Sequence, residues 1–131
     1  MIKKIVIDGN DGSGKTFRCD ELKKLFPDIE IVDRGLFSEA TLDDWLFVEY
    51  ATKGEHGWRC KDFISKVDAE PETLFIILMT KPEIAQKRIL ERGDSIEEEY
   101  HTLDDLNKYN QRFEFLCELV KDRTNVMVVH T

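Results

Sequence analysis

Residues Gly9-Asn10-Asp11-Gly12-Ser13-Gly14-Lys15-Thr16 have the spacing G-x-x-x-x-G-K-[ST]. That pattern wraps backbone N–H groups around phosphate oxygens. The glycines let the chain turn inward, and a helix following the loop adds the positive end of its dipole. Gly9 to Thr16 are therefore expected to bind ATP. Lys15 would reach the β- and γ-phosphates, and the Thr16 hydroxyl would hold Mg²⁺. Two further groups have the chemistry to act on a bound triphosphate. Asp33 could orient an acceptor hydroxyl as a base or serve as a magnesium ligand, with Arg34 beside it. Arg88 and Arg92 are four residues apart and share one helical face, where they could offset charge on a transferring phosphate. Lys15, Asp33, Arg34, Arg88 and Arg92 are thus the candidate catalytic residues.

These groups must be placed by ordinary elements. Ile2 to Asp8 is an apolar, β-branched segment that reads as a buried strand, and Phe17 to Phe26 reads as a helix with Leu22, Leu25 and Phe26 inward. Pro27 stops that helix, and Ile29 to Asp33 is a short second strand. Strand, helix and strand make a right-handed βαβ unit. In an open α/β sheet the carboxyl ends of the strands line the ligand crevice, so Asp33 and Arg34 fall on the same edge as the glycine-rich loop. Glu39 to Thr52 is expected to be one helix capped by Ser38, with Leu42, Trp45, Leu46 and Val48 on its apolar face. Trp58 to Val67 is another helix. Glu72 to Met79 is an unbroken apolar run, as in a central parallel strand. A helix capped by Thr80 runs to about Arg92 and ends at Gly93. Residues 88–99, with the acidic stretch Asp94 to Glu99, are expected to form a lid. Leu103 to Val120 is a long helix, with Leu106, Tyr109, Phe113, Leu116 and Val120 inward. Asn125 to Val129 is the last strand. The expected fold is α/β, three-layered, with a short, mostly parallel sheet of about four strands in the order 2-1-3-4.

The chain has 131 residues, the size of a single domain, here 1–131. Its net charge of −8 disfavours a long nucleic-acid footprint, which needs a basic stripe. Cys19, Cys60 and Cys117 are scattered, with no metal-ligand spacing, and read as reduced thiols of a cytoplasmic protein. No apolar run is long enough to span a bilayer, and the first residues belong to a core strand, so neither a membrane anchor nor a signal peptide is expected. His56, His101 and His130 share no spacing and are read as surface residues. Trp45 and Trp58 are read as core.

Taken together, these segments resemble the thymidylate kinase-like branch of P-loop kinases over most of the chain. Ile7 to Thr16 is similar to that family's P-loop. Asp33-Arg34 followed by Ser38 resembles its Asp-Arg motif, in which the Asp helps place Mg²⁺ and the acceptor and the Arg holds the substrate phosphate. Lys81-Pro82-Glu83-Ile84-Ala85, leading to Arg88, Arg92-Gly93-Asp94 and Ile96-Glu97, is similar to the family's helix and lid, whose arginines contact ATP phosphates. The resemblance implies a deoxynucleoside monophosphate kinase using ATP and Mg²⁺, in a shortened form such as a phage would encode. A small nucleotide or nucleoside acceptor is favoured over DNA. The chain departs from the family in having Met79 where relatives commonly have Asp and Ser95 where a lid Arg is expected. Phe26 to Ile29 leaves no room for a strand and substrate-binding helices found in relatives, and the chain stops at its last strand, before the usual loop and helix over the adenine. The short connection to Asp33 also resembles kinases acting on a hydroxyl of DNA, either a 5′ end or a modified base. A nucleotide-binding module without transfer activity is the third reading.

Overall fold

The structure, a computed structural model, describes residues 1–93 and 101–131. Its elements are β1 (Lys4–Gly9), α1 (Lys15–Leu25), β2 (Glu30–Asp33), α2 (Leu36–Thr41), α3 (Asp44–Lys53), α4 (Trp58–Asp68), β3 (Thr73–Met79), α5 (Pro82–Glu91), α6 (Leu103–Leu119) and β4 (Val126–His130). The four strands form one sheet in the order β2-β1-β3-β4, and every pairing is parallel. This is the three-layer fold and strand order expected from the sequence. β1 pairs on both sides, Ile7 with Asp33 of β2 and with Ile76 of β3. The loop leaving β1 therefore emerges mid-sheet, at the carboxyl edge.

Strand alternation sorts the core into two unequal faces. Ile5, Ile7, Ile76 and Leu78 pack with Cys19 under α1. Val6, Phe75, Ile77 and Met79 face the other way, into a larger cluster with Phe37, Phe63, Phe113 and Leu116. Phe37 meets Phe63 edge-on at 5.0 Å between ring centroids and Phe75 at 5.5 Å, the geometry that ring quadrupoles favour. Ala85 and Ile89 of α5 pack with Leu106 of α6.

Several local expectations are corrected. The helix expected over 39–52 is two helices, broken at Leu42-Asp43. The Asp43 carboxylate accepts from Leu46 N at 3.3 Å and starts α3 anew, a standard side-chain cap. Ser38 caps nothing there because its hydroxyl donates to Asp8. Only Leu46 of the expected apolar face is buried, while Leu42, Trp45 and Val48 are exposed. Trp58 is exposed as well, so neither tryptophan belongs to the core. On α1, Leu25 and Phe26 are exposed and Cys19 takes the inward position. Thr80 does not cap α5. Lys81 occupies the cap position, and the Thr80 hydroxyl pairs with that of Thr131. His101 is buried rather than on the surface. Of the expected lid, Asp94 to Glu99, including Ser95, lies outside the described residues. No helix among the described residues is long and apolar enough to cross a membrane.

Candidate active site

The glycine-rich loop joins β1 to the N-terminus of α1. Gly14 is the N-cap of α1 and gives no side-chain cap, which leaves the first-turn N–H groups to an anion. A Cβ on Gly12, whose φ is 76°, would lie 2.9 Å from the Ala85 carbonyl carbon. Glycine is needed there because α5 packs directly on the loop. Lys15 is buried, and its ammonium donates to Gly9 O at 2.6 Å and Asn10 O at 3.1 Å. Burial, joined by the Arg34 charge, pushes its pKa down against the pull of Asp11, Asp33 and Asp8. The Ser13 hydroxyl is buried with no hydrogen-bond partner among the described residues. A buried cation and an orphan hydroxyl in one loop fit a phosphate ligand.

Two side chains of the loop tie it to distant chain. The Asn10 amide donates to Leu106 O at 2.9 Å and Asn110 Oδ1 at 2.7 Å, and Asn110 donates in turn to Thr80 O at 2.8 Å. Asp11 is held at 2.8 Å by Arg34 and at 2.9 Å by His101 Nε2. Burial raises the Asp11 pKa, but the His101 hydrogen bond and the charges of Lys15 and Arg34 outweigh it, leaving the carboxyl below its usual range. No sequence signal pointed to His101 or Asn110 as supports of the loop.

Asp33 and Arg34 do sit on the loop's edge of the sheet. Asp33 is exposed at the end of β2, and its charge acts on Lys15 and Cys19. Arg34 has φ 67°, left-handed for a residue with a Cβ, and reaches Asp11. Arg88 turns back to the loop, its guanidinium donating to Gly12 O at 3.1 Å. Arg92 is one turn farther on, at the C-cap of α5. The structure thus brings Lys15, Asp33, Arg34 and Arg88 around one loop.

Beside the loop opens a cavity of about 300 Å³. Gly9, Asn10 and Asp11 form its inner wall, and Arg34, Ser38, Glu39 and Thr41 supply polar groups. Tyr109 and Phe113 of α6 supply an aromatic wall, and Leu42 completes the lining. Arg112 braces that wall. It lies 4.6 Å from the Phe47 centroid and 5.6 Å from that of Tyr109, and donates to Thr41 O at 2.6 Å and Asp44 at 2.7 Å. The pattern of inward residues on α6 marked Tyr109 and Phe113, but as core. Glu39 and Thr41 carried no signal, because they line a cavity only once α2 ends at residue 41.

The residues present fit ATP with Mg²⁺. Among the described residues no three His, Cys, Asp or Glu side chains gather as a metal site. Magnesium would therefore rest on the Thr16 hydroxyl, the Asp33 carboxylate and phosphate oxygens, which is its usual manner of binding with nucleotides.

No protein-family model and no curated protein matches the chain significantly. Solved structures do. Deoxyadenosine kinase from M. mycoides with bound dCTP superposes with a TM-score of 0.60 at 15% identity, covering 97% of this chain and 89% of that one. The same enzyme with bound dATP gives 0.60 at 18% identity, covering 97% and 90%. The YorR protein from Bacillus subtilis, in complex with phosphorylated GDP, gives 0.62 at 14% identity, covering 98% and 84%. The chain shares its three-layer α/β fold with these proteins. At these identities the likeness is one of fold and extends to no particular substrate.

Proposed function

We propose that this protein is an ATP-dependent kinase that transfers the γ-phosphate to a small nucleotide-type acceptor, a deoxynucleoside monophosphate before a DNA strand. The observation that carries the reading is the cavity of about 300 Å³ opening beside the loop that would hold the triphosphate. One wall is shared by donor and acceptor. A nucleobase would stack between the Tyr109–Phe113 wall and α2. Arg34 would exchange Asp11 for the acceptor's phosphate. Lys15 would leave the carbonyls of Gly9 and Asn10 for the β- and γ-phosphates. Arg88 of α5, already donating to Gly12 O of that loop, would offset charge as transfer proceeds. Asp33 orients the acceptor oxygen or joins Thr16 in holding magnesium, and its place beside Lys15, outside the cavity lining, favours the second role. Bound with the triphosphate, Mg²⁺ supplies charge neutralisation on the transferring group. The nucleotide ligands of deoxyadenosine kinase and YorR, on the same fold, support a small nucleotide partner. Three free cysteines, two of them buried, are in keeping with a cytoplasmic enzyme.

The experiment is γ-phosphate transfer from labelled ATP to nucleosides, monophosphates and oligonucleotides at rising salt. Transfer to a pyrimidine deoxynucleoside monophosphate is expected. Phosphorylation of DNA alone, with kcat/KM falling steeply as salt rises, would replace the small acceptor with a polymer. ATP binding without transfer to any acceptor would make the chain a nucleotide-binding module.

A further inference from the structure

Asp8 is fully buried at the end of β1, one residue before the phosphate-binding loop. Its side chain shares the sheet face of Val6, away from α1, and there its carboxylate is occupied. Oδ1 accepts from Gly35 N at 2.8 Å and from the Ser38 hydroxyl at 2.5 Å, and Oδ2 accepts from Phe37 N at 3.2 Å. All three donors belong to the turn between β2 and α2 and the first residues of α2. A carboxyl group buried in a strand interior needs partners of this number to be tolerated at all.

The turn it holds is the one that presents Arg34. A left-handed φ of 67° disfavours any residue with a Cβ and persists only where neighbours over-determine it. They do so here. Arg34 N donates to Ile7 O at 3.0 Å, and the next amide, Gly35 N, is taken by Asp8. Gly35 is pressed so closely on β1 that a Cβ would lie 2.5 Å from Val6 Cγ1. The chain cannot simply lift away and rotate Arg34 to an easier conformation while these contacts stand.

We propose that Asp8 is a positioning residue for transfer, whose carboxylate fixes the β2–α2 turn and so sets Arg34 and Ser38 at the acceptor cavity. This rests on the kinase reading above. It also divides labour among the acids near Lys15. Asp8, buried and carrying three donors, is closed to magnesium, whereas Asp33 is exposed and open to it.

The test uses the full chain with Asp8→Asn, which keeps the volume but turns an amide N–H toward at least one donor. Acceptor kcat/KM should fall by roughly 10- to 100-fold, the worth of a charge-assisted hydrogen bond. Affinity for a fluorescent ATP analogue should stay within about twofold, since the loop's own hydrogen bonds are untouched. Ser38→Ala should cost less, roughly 3- to 10-fold, and the double variant should be no worse than Asp8→Asn alone, because both act through one contact. Unchanged acceptor kinetics, or ATP affinity lost in step with turnover, would overturn the assignment. Amide hydrogen exchange reads the same claim without turnover. Gly35 and Phe37 should be protected in the wild type and lose protection in Asp8→Asn while Ser13 keeps its own. If the wild type phosphorylates no acceptor, the kinase reading fails and the exchange result alone decides what Asp8 holds. If Asp8→Asn does not fold, Ser38→Ala decides, and unchanged acceptor kcat/KM with unchanged Gly35 protection would overturn the proposal.

Discussion

The donor side and the acceptor side of this site are built in opposite ways. The donor side of the proposed site is eight contiguous residues, Gly9 to Thr16, whose backbone would do most of the binding. The acceptor side takes Arg34 from a turn, Ser38 to Leu42 from a short helix and its end, and Tyr109 and Phe113 from a helix some seventy residues on. A contiguous loop can tolerate drift elsewhere in the chain. A cavity assembled from separate pieces depends on every contact that spaces them. Changes on the donor side should therefore act on ATP and turnover together, and changes on the acceptor side on the acceptor alone.

The largest effect that sharpens this contrast is expected from Lys15→Ala. Transfer should fall by about 10³-fold or more, with weaker ATP binding, because a buried cation aimed at the phosphates is removed. The unliganded protein should still melt cooperatively and at no lower temperature, since burial already disfavours that charge. Wild-type turnover in the variant would remove the loop from the mechanism. Asp33→Asn comes next, lowering turnover by about 10²- to 10⁴-fold. A raised magnesium requirement would assign Asp33 to the donor side. Unchanged magnesium and ATP dependence would move it to the acceptor side as a base.

Arg34→Ala should lower acceptor kcat/KM by about 10²-fold with ATP affinity kept, the worth of one bidentate charge contact. ATP affinity falling equally would show that Arg34 serves the loop through Asp11, and the division into two sides would fail. Arg88→Ala should be milder, lowering kcat about 3- to 10-fold more than it raises KM for ATP. Its hydrogen bond to Gly12 O stiffens the loop from outside, and unchanged kinetics would make it a surface residue. Arg92→Ala, one turn farther along, should do less.

The smallest effect concerns pH. The Asp11 carboxyl is held below its usual value of 3.8 in the folded chain. Its contribution to stability is complete above that value and is lost as pH falls through the lower, folded one. Wild type and Asp11→Asn should therefore differ in melting temperature by a constant amount from neutral pH to about pH 4 and converge below it. A difference that changes between pH 5 and 8 would point to His101 as the titrating partner.

What could be read from the sequence follows the same division. Strand order, the two-sided burial of β3 and the strand–loop–helix setting of the glycine-rich stretch all rest on local pattern, and each stands in the structure. The acceptor wall did not emerge, because its residues look like something else when taken one at a time. Tyr109 has the spacing of a core residue, Phe113 is a core residue that also lines the cavity, and Glu39 looks like a solvated helix position. The break at Leu42-Asp43 was hidden because Leu42, Trp45 and Val48 continue a helical period across it, although Asp43 is a good cap. Asp8 reads as part of the strand and of the P-loop resemblance, with no partner assigned. Its signal was there as the one ionisable group at an inward position of β1, but only the turn beyond Asp33 says what it is for.

The tethers on Asn10 and Asp11 also bear on the order in which the site can come into being. Asn10 is fastened to Leu106 and Asn110, and Asp11 to His101. As the chain leaves the ribosome, Asn10 and Asp11 emerge 90 to 100 residues ahead of the residues that hold them in shape. A nascent chain lacking α6 carries every residue of the motif without a working cradle. Nucleotide binding should therefore arrive only once α6 has emerged, and free ATP should favour chains that carry α6 over shorter ones.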